Sequence, residues 1–534
     1  MDPEKKQKWL DRGVWALIAF CWLYLFTYSR SLNNPNERTR VMQTRAVVEN
    51  GRLSIGESFR DDQGRLKVRD LYGHVHNGQF VNDLSLVCSN PDEQPPNCEG
   101  LIYPAKPPGP SLIGVPALFV AELLGAIPEG PAGEMQATWV TRYFGVALLM
   151  FLSLLAFARL LKQVGLPRSL NRAVLLTTAL GTTIFTYGIM FVGHALAGGA
   201  LITGIWLLIE AKEKSCWLRA ALSGLATASA VFLEYHCLIA VLCIAIWPLL
   251  MKDRWKVLPG FAAGAALMAV LYIILHQVMF NSPFLTAHSH LMSAHNRFSQ
   301  SSGYLGIAAP HLGSLVDNLF DPYMGLLPLM PWLLAGFFGI YLLLRNKHNL
   351  RVVAAIFIVY LIFVTCLDKW RMMNGWSIGP RYLVPAILPL SLAAAVGLKK
   401  LFDFNQWAAH AALGLMAASV IIISSLTAVF PQPPDALKSP FGELAVPLLL
   451  EGYGVRNLGL LIGLGSFSLL PFFLAVLGSA AWITLSSKRK LIYTAVTIAV
   501  AVIWLVSLAL IRPTKPQDRS HWQEFSRHRV ETSH

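Results

Sequence analysis

The chain alternates between apolar stretches of roughly 17–25 residues and short polar segments, many of them basic. An α-helix of about 20 apolar residues can cross the hydrocarbon core of a bilayer, so each stretch predicts one membrane span. The pattern predicts an all-α polytopic membrane protein with about thirteen transmembrane helices. The predicted spans are 14–29, 140–160, 172–189, 193–210, 217–233, 237–251, 257–279, 325–344, 352–367, 382–398, 407–428, 457–485 and 491–511.

Composition agrees with this class, since 54% of the 534 residues are hydrophobic and only 14% are charged. Such values exclude an ordinary soluble domain. A net charge of +14 would suggest nucleic-acid binding in a soluble protein. Here the positive residues lie mostly in short loops between spans, which is typical of cytosolic loops. Nucleic acid is therefore not an expected partner.

The run 111–127 is apolar but contains Pro116, and whether it crosses the membrane sets the orientation of every later span. If it does not cross and the N terminus is cytosolic, every second short loop is basic on the cytosolic side, as the positive-inside rule requires. We therefore expect 111–127 to be juxtamembrane or re-entrant, and the C terminus to lie outside. The basic residues are Lys5, Lys6, Lys8, Arg12, Lys162, Arg168, Arg172, Lys212, Lys214, Arg219, Lys252, Arg254, Lys256, Arg345, Lys347, Arg351, Lys399, Lys400, Lys488, Arg489 and Lys490.

This topology divides the chain into a cytosolic start, a large outer loop, a membrane core, further spans and a tail. The predicted parts are 1–29 (cytosolic segment and first span), 30–139 (outer catalytic loop with juxtamembrane helices), 140–400 (transmembrane core with outer loops 281–324 and 368–381), 401–511 (C-terminal spans) and 512–534 (outer polar tail).

The seven cysteines fall into two groups. Five lie in or beside apolar runs, where cysteine packs as a small hydrophobic residue. Cys88 and Cys98 lie in the polar segment VCSNPDEQPPNCEG of the outer loop. Two cysteines this close in an exported loop are candidates for a disulfide, which forms only if the local geometry allows it.

The segment NNPNERTRVMQTRAVVENG predicts a short amphipathic helix on the membrane surface, because apolar residues recur at helical spacing and Asn50-Gly51 is a typical helix end. Asn34 or Asn36 would cap its start. Glu37 then lies in the first turn, where a carboxylate is stabilised by the helix dipole. Helix physics alone leaves two roles open for Glu37, a capping acid or a catalytic carboxylate.

Several charged and polar residues lie near the predicted outer ends of spans, where charges are retained mainly for function. Arginine and lysine in this group suit an anionic ligand such as a lipid phosphate. The alternatives are cations that extend to the membrane surface and an aromatic belt. The candidates are Lys106, Arg142, His194, Glu234, Lys369, Arg371, Arg381 and Tyr382.

Histidines in 281–324 invite a metal interpretation, but His288, His290 and His295 do not follow a specific ligand spacing. No Gly-rich nucleotide loop and no serine elbow are present in the sequence. We therefore expect neither a metal nor another cofactor.

The acid after the first span, the Lys-Pro-Pro turn at 106–108, Arg142 and the Gly-Pro-Arg-Tyr-Leu segment at 379–383 together resemble the GT-C glycosyltransferases. The branch that contains protein O-mannosyltransferases and the lipid A aminoarabinose transferase is the most similar. The resemblance covers most of 10–400. It implies a GT-C-like bundle of about thirteen helices with juxtamembrane helices in the first outer loop.

The resemblance also implies an activity: sugar transfer, with inversion, from a polyprenyl-phosphate donor to a lipid, glycan or protein acceptor. Glu37 would be the general base, and Lys106 and Arg381, with Arg371 and Lys369, would bind the donor phosphate. One feature departs from the family. Members commonly carry an Asp-Glu pair where this chain has Asn36-Glu37, so a second acid is missing.

Two other classes remain open at this point. One is a transporter or flippase of a lipid-linked anion, against which an odd number of spans and the lack of an inverted repeat argue. The other is a non-catalytic assembly subunit. The compact loops favour a bacterial inner membrane, with a cytosolic N terminus and a periplasmic C terminus.

Overall fold

The structure is a computed structural model that describes residues 2–26, 34–252, 254–346, 349–369, 373–487, 490–511, 516–527 and 531–532. Seven of the described helices are long and apolar enough to cross a membrane, judged by length and composition. The predicted class of a helical multi-pass membrane protein is therefore confirmed. The number of thirteen spans stays a prediction, because predicted spans such as 457–485 are interrupted here.

The helices are named in chain order, and a π-helical segment, Thr141–Ala147, joins α4 to α5. They are α1 (Pro3–Tyr24), α2 (Pro35–Asn50), α3 (Gly109–Leu123), α4 (Glu134–Val140), α5 (Leu148–Val164), α6 (Arg168–Leu180), α7 (Thr183–Gly188), α8 (Gly193–Lys214), α9 (Trp217–Leu233), α10 (Leu238–Leu249), α11 (Leu258–Phe280), α12 (Ala294–Ser299), α13 (Leu312–Phe320), α14 (Leu326–Leu329), α15 (Leu334–Arg345), α16 (Arg351–Thr365), α17 (Ile387–Phe404), α18 (Gln406–Val429), α19 (Val446–Leu450), α20 (Leu458–Leu461), α21 (Leu470–Thr484), α22 (Leu491–Leu510) and α23 (Pro516–Arg527).

One predicted span, 172–189, is divided into α6 and α7 at Gly181. A Cβ at Gly181 would lie 2.8 Å from the backbone nitrogen of Val420, so glycine permits the close approach of α18. Thr182 then caps α7, since its hydroxyl accepts a hydrogen bond from the Ile184 N–H at 3.2 Å. The break follows from tertiary packing, which the apolar pattern does not reveal.

The first large loop contains an antiparallel five-stranded sheet that the sequence analysis did not predict. Its strands are short, and their order is β3-β2-β1-β5-β4. The strands are β1 (Gly56–Arg60), β2 (Leu66–Asp70), β3 (Val75–His76), β4 (Leu84–Cys88) and β5 (Gly100–Pro104), and a further two-stranded pair is formed by β6 (Tyr453–Gly454) and β7 (Glu531–Thr532).

The β4–β5 ladder is closed by a disulfide between Cys88 and Cys98, whose Cα atoms lie 5.5 Å apart. The predicted disulfide is confirmed. Cys88 pairs with Gly100 in the ladder, and a Cβ at Gly100 would lie 2.0 Å from the carbonyl oxygen of Val87. The strands can therefore approach this closely only with glycine at position 100.

Helix α2 is present with the predicted ends. Asn34 accepts a hydrogen bond from the Asn36 N–H at 2.9 Å, and Gly51 ends the helix in the left-handed conformation with φ 63°. Its expected position as an amphipathic surface helix is corrected by the structure. The side chains of Arg40, Gln43 and neighbouring residues are fully buried, because α3 and β5 pack against the helix.

Helix α3 covers most of the ambiguous run 111–127 and has 15 residues. At 1.5 Å per residue it is about 22 Å long, less than the roughly 30 Å of a hydrocarbon core. Thr44 of α2 donates a hydrogen bond to the Ser111 carbonyl at 2.9 Å. A Cβ at Gly109 would lie 2.3 Å from the Phe232 carbonyl, so α3 starts in direct contact with α9.

The loop 281–324 docks onto the edge strand β4. Ser85 donates a side-chain hydrogen bond to the Ala287 carbonyl at 2.6 Å, and the Met292 N–H donates to the Leu84 carbonyl at 3.0 Å. The sheet, this loop and the ends of the apolar helices thereby enclose a polar space.

Candidate functional site

A cavity of about 410 Å³ lies where the end of the β4–β5 ladder meets α2, the docked loop and the segment before α17. Its wall is mainly polar and contains both signs of charge. It is lined by Asn34, Pro35, Asn36, Asn82, Asp83, Lys106, His288, Leu291, His295, Asn296, Ser299, Gln300, Met373, Gly375, Trp376, Arg381, Tyr382, Phe430 and Gln432. We call it the polar cavity.

Asp83 and Lys106 form an ion pair in this cavity, with Oδ1 and Nζ 3.4 Å apart. The ladder causes the contact. Leu84 is paired with Pro104, and the Ala105 N–H donates to the Asp83 carbonyl at 2.9 Å, so the next residues of both strands emerge side by side. Burial lowers the pKa of Lys106, while the nearby Asp83 carboxylate opposes that shift.

Arg381 enters the cavity from the segment that leads into α17. Its backbone N–H donates to Asn374 Oδ1 at 2.9 Å, and its guanidinium donates to the Met373 carbonyl. Gly379, two residues earlier, has φ 72°, and a Cβ there would lie 2.6 Å from Thr183. The Gly-Pro-Arg segment thus requires glycine, and it brings a second cation to the cavity of Lys106.

Tyr382 lines the same cavity, and its ring lies 5.6 Å from the Arg381 guanidinium carbon. Three predicted residues, Lys106, Arg381 and Tyr382, therefore share one wall.

The docked loop supplies the opposite wall through His288 and Asn296. Asn296 Nδ2 lies 3.3 Å from Asp83 Oδ1 and donates to the Asn82 carbonyl at 3.0 Å. His288 Nδ1 lies 3.1 Å from Gln300 Nε2. Burial, with Lys106 as the next cause, lowers the pKa of His288 to about 3, so this imidazole is neutral at physiological pH.

Glu37 lies beside the polar cavity but does not line it. Its side chain is fully buried, and Arg142 donates to both carboxylate oxygens at 2.8 and 2.9 Å. The Phe191 N–H donates to Oε1 at 2.6 Å as well. In this geometry Glu37 and Arg142 form a bidentate buried ion pair that ties α2 to the start of the second long helix.

Glu234 and His194 belong to a second buried cluster, which is built on Arg40 of α2. Arg40 donates to Glu234 Oε1 at 3.2 Å, and His194 Nδ1 lies 3.4 Å from the same oxygen. Burial raises the pKa of Glu234, and Arg40 and Lys106 oppose that shift. Two other guanidinium nitrogens of Arg40, Nε and Nη1, have no hydrogen-bond partner within the described part of the chain.

Lys369 is not brought to the polar cavity. Its ammonium donates to the Phe298 carbonyl at 2.7 Å and to Ser301 at 2.8 Å in an exposed position. Arg371, the remaining predicted phosphate ligand, lies outside the described residues.

Sequence reasoning missed Asp83 and Arg40. Asp83 stands in the stretch QFVNDLSLV, where its only signal is a polar residue just before an apolar alternation that marks a strand. Arg40 lies among several arginines of α2, and the sequence does not tell which of them is buried. Both become candidates once the sheet and the packing of α2 are known.

A wider cleft of about 1310 Å³ lies near the start of α1. Its cations are already engaged or exposed: Arg172 contacts Asp11 at 2.6 Å, and Lys399 donates to the Val164 carbonyl at 2.8 Å. Among the described residues, no group of three or more His, Cys, Asp or Glu side chains has a metal-binding arrangement. The polar cavity is therefore the better candidate for chemistry.

No protein-family model and no curated protein sequence matches this chain. Solved structures show a distant similarity. ArnT from Cupriavidus metallidurans in the apo state has 16% identity and a TM-score of 0.49, over 94% of this chain and 78% of that one. The same protein bound to undecaprenyl phosphate has 14% identity and a TM-score of 0.45, over 93% and 78%.

The arabinosyltransferase EmbB from Mycobacterium smegmatis has 12% identity and a TM-score of 0.41, over 93% of this chain and 40% of that one. Values this low describe a distant likeness in the arrangement of the chain, and they assign neither an activity nor a role to any residue.

Proposed function

We propose that this protein is a membrane glycosyltransferase of the GT-C type. It transfers a sugar from a polyprenyl-phosphate donor to an acceptor hydroxyl on the periplasmic side of a bacterial inner membrane, with inversion at the anomeric carbon. The observation that carries the proposal is the polar cavity, in which one carboxylate, Asp83, faces two cations, Lys106 and Arg381.

The cations suit the donor. A polyprenyl-phosphate leaving group gains negative charge as the bond to the anomeric carbon breaks, and fixed cations stabilise that charge without a nucleotide or ATP. Arginine offers a planar set of N–H donors and lysine a compact charge, which together match a phosphate. Lys106 and Arg381 therefore bind the donor phosphate in this proposal.

The carboxylate suits the acceptor. An attacking hydroxyl must lose its proton as its oxygen bonds to the anomeric carbon, and a positioned carboxylate accepts that proton. The family resemblance assigns this role to Glu37. The occupied oxygens of Glu37 and its place outside the cavity favour Asp83 instead. In the proposed mechanism, Glu37 holds Arg142 and α2 in position, and Asp83 is the base.

The decisive test supplies radiolabelled undecaprenyl-phosphate hexoses and pentoses to membrane vesicles from cells that express the chain and from cells that lack it. We expect label in an acceptor fraction (lipid, glycan or protein) only when the chain is present. Asp83→Asn should abolish the incorporation at an unchanged level of folded protein, and the product should have the opposite anomeric configuration to the donor.

The alternative of a flippase predicts a different outcome in the same vesicles. The labelled donor would then cross the bilayer intact, and no acceptor would be labelled. Undiminished transfer by Asp83→Asn would remove the proposed base without removing the proposed reaction.

A further inference from the structure

A narrow branch of about 20 Å³ opens from the polar cavity between α2, α7 and the segment before α17. It shares part of its wall with that cavity, including Asn36 and Arg381, and adds Tyr187, His194 and Ser377. A site that holds one water molecule needs about 10–15 Å³ of this kind of volume. The branch therefore accommodates one or two atoms of the size of a hydroxyl group.

Several polar atoms in this branch are buried without a partner. Asn36 Oδ1 and Arg381 Nε form no hydrogen bond within the part of the chain that the structure describes. Asn36 is 6% exposed and Tyr187 is 4% exposed. The Tyr187 hydroxyl lies beside Ser377 and makes no hydrogen bond of good geometry to any described residue. Each such buried group costs about 1–3 kcal/mol unless it is paired, so these atoms require a partner that enters the branch.

The chemistry of these groups selects the partner. Arg381 Nε–H is a donor, Asn36 Oδ1 is an acceptor, and the Tyr187 hydroxyl acts as either. A hydroxyl group both donates and accepts, so it satisfies this combination. A carboxylate or an acetamido group exceeds the volume, and the residues that line the branch include no carboxylate to pair with an ammonium group.

The charges around the polar cavity lead in the same direction. Lys106, Arg381 and Arg40 carry three positive charges against the two negative charges of Asp83 and Glu234. The phosphodiester of a donor adds one negative charge and completes the balance. A sugar that brings a charge of its own would disturb it.

We propose that the branch is a hydroxyl-recognition subsite, in which Asn36, Tyr187 and Arg381 bind one exocyclic hydroxyl or hydroxymethyl group of an uncharged donor sugar. This inference rests on the proposed function and adds the class of sugar and two specificity-determining residues, Asn36 and Tyr187. A site built to hydrogen-bond a hydroxyl discriminates strongly against an analogue that lacks it, because its own polar atoms are then left unpaired.

The test uses undecaprenyl-phosphate glucose, galactose and mannose, the corresponding amino sugars and uronic acids, and the singly deoxygenated analogues of the best donor. We expect the wild-type protein to transfer a neutral hexose and to lose at least 100-fold in kcat/KM for one deoxy analogue. Tyr187→Phe and Asn36→Ala should shrink that one ratio at least tenfold and leave the other deoxy ratios unchanged. Tyr341→Phe is the matched control, since Tyr341 is exposed on α15.

Asn36→Ser is a second variant that keeps a small polar residue at the start of α2, and thermal unfolding shows which variants fold. Transfer with the same deoxy ratios in all folded variants would overturn the subsite while leaving the proposed function intact. A best donor that is an amino sugar or a uronic acid would overturn it as well. If the wild-type protein transfers none of the sugars, the proposed function fails, and the subsite fails with it.

Discussion

Asp83 and Lys106 lie 3.4 Å apart because each is the first residue but one beyond, or the residue just before, a paired position of the same two-stranded ladder, Leu84 with Pro104. The contact thus depends on the register of β4 and β5. A shift of one residue would turn the two side chains to opposite faces. A carboxylate and an ammonium group held by backbone pairing are pre-organised for a reaction in which one accepts a proton and the other stabilises an anion.

The first prediction concerns the coupling of this pair. Asp83→Asn should lower kcat by about 10²–10⁴, the usual contribution of a positioned base. Lys106→Gln should raise the KM for the donor and lower kcat, because the phosphate loses a cation. The double variant should be less impaired than the product of the single effects, since the two groups act in one step.

The matched control is Arg65→Gln, which breaks the exposed pair of Arg65 with Asp61 on the same sheet. Exposed pairs contribute little, so activity and stability should stay near those of the wild type. Fully multiplicative losses in the Asp83 and Lys106 cycle would show that the two residues act independently.

The second prediction separates the roles of Glu37 and Asp83. Glu37→Gln leaves the buried Arg142 guanidinium without its carboxylate, which typically costs about 3–5 kcal/mol. We therefore expect a clearly lower unfolding temperature, with kcat per folded molecule within about tenfold of the wild type. Asp83→Asn should show the reverse, a near-normal unfolding temperature and a large loss of kcat.

Glu4→Gln is the control for this comparison, since Glu4 pairs with Lys8 in an exposed position near the start of α1. Its unfolding temperature should not change measurably. A Glu37→Gln protein that is as stable as the wild type but inactive would return the base to Glu37, as the family resemblance implies.

Much of the helical fold was predictable from the sequence, and the reason is physical. Long apolar runs are required for membrane crossing, and they leave a strong pattern. The cap at Asn34 and the end at Gly51 were also predictable, because helix ends have local chemistry. The sheet was not, since strands of five residues or fewer carry too few alternations to be recognised.

The candidate site divides along the same line. Lys106 and Arg381 were predictable as cations beside Pro and Gly turns at the ends of apolar runs, but their shared wall with Asp83 depends on the register of β4 and β5. Glu37 was found by its position in the first turn of α2. Its burial against Arg142, 105 residues away, is a tertiary fact that no local pattern contains.

The third prediction concerns pH. The pKa of His288 is lowered to about 3 in the folded protein, against an ordinary value of about 6.5 in the unfolded chain. Between these values the unfolded state binds more protons, so the free energy of unfolding falls as the pH falls from about 6.5 towards 3. His288→Gln should remove this part of the dependence, which is measured as the change in unfolding temperature between pH 7 and pH 5.

His521→Gln is the control, because His521 lies on the exposed helix α23. It should keep the pH dependence of the wild type. A wild-type protein and a His288→Gln variant with equal shifts in unfolding temperature would show that His288 does not resist protonation in the folded state.

The last prediction concerns the disulfide, which closes the β4–β5 ladder at the end opposite to Asp83 and Lys106. Without it, the unfolded loop gains conformational freedom, and stability should fall by about 2–4 kcal/mol where the loss is felt by the whole fold. Because the ladder sets the distance between Asp83 and Lys106, Cys88→Ser with Cys98→Ser should also increase hydrogen exchange in 84–104 and lower kcat severalfold. Cys216→Ser, which removes a free thiol, should change neither quantity. Alkylation of Cys88 and Cys98 in the folded protein without a reductant would contradict the bond, and unchanged exchange in 84–104 would show that the ladder holds its register without it.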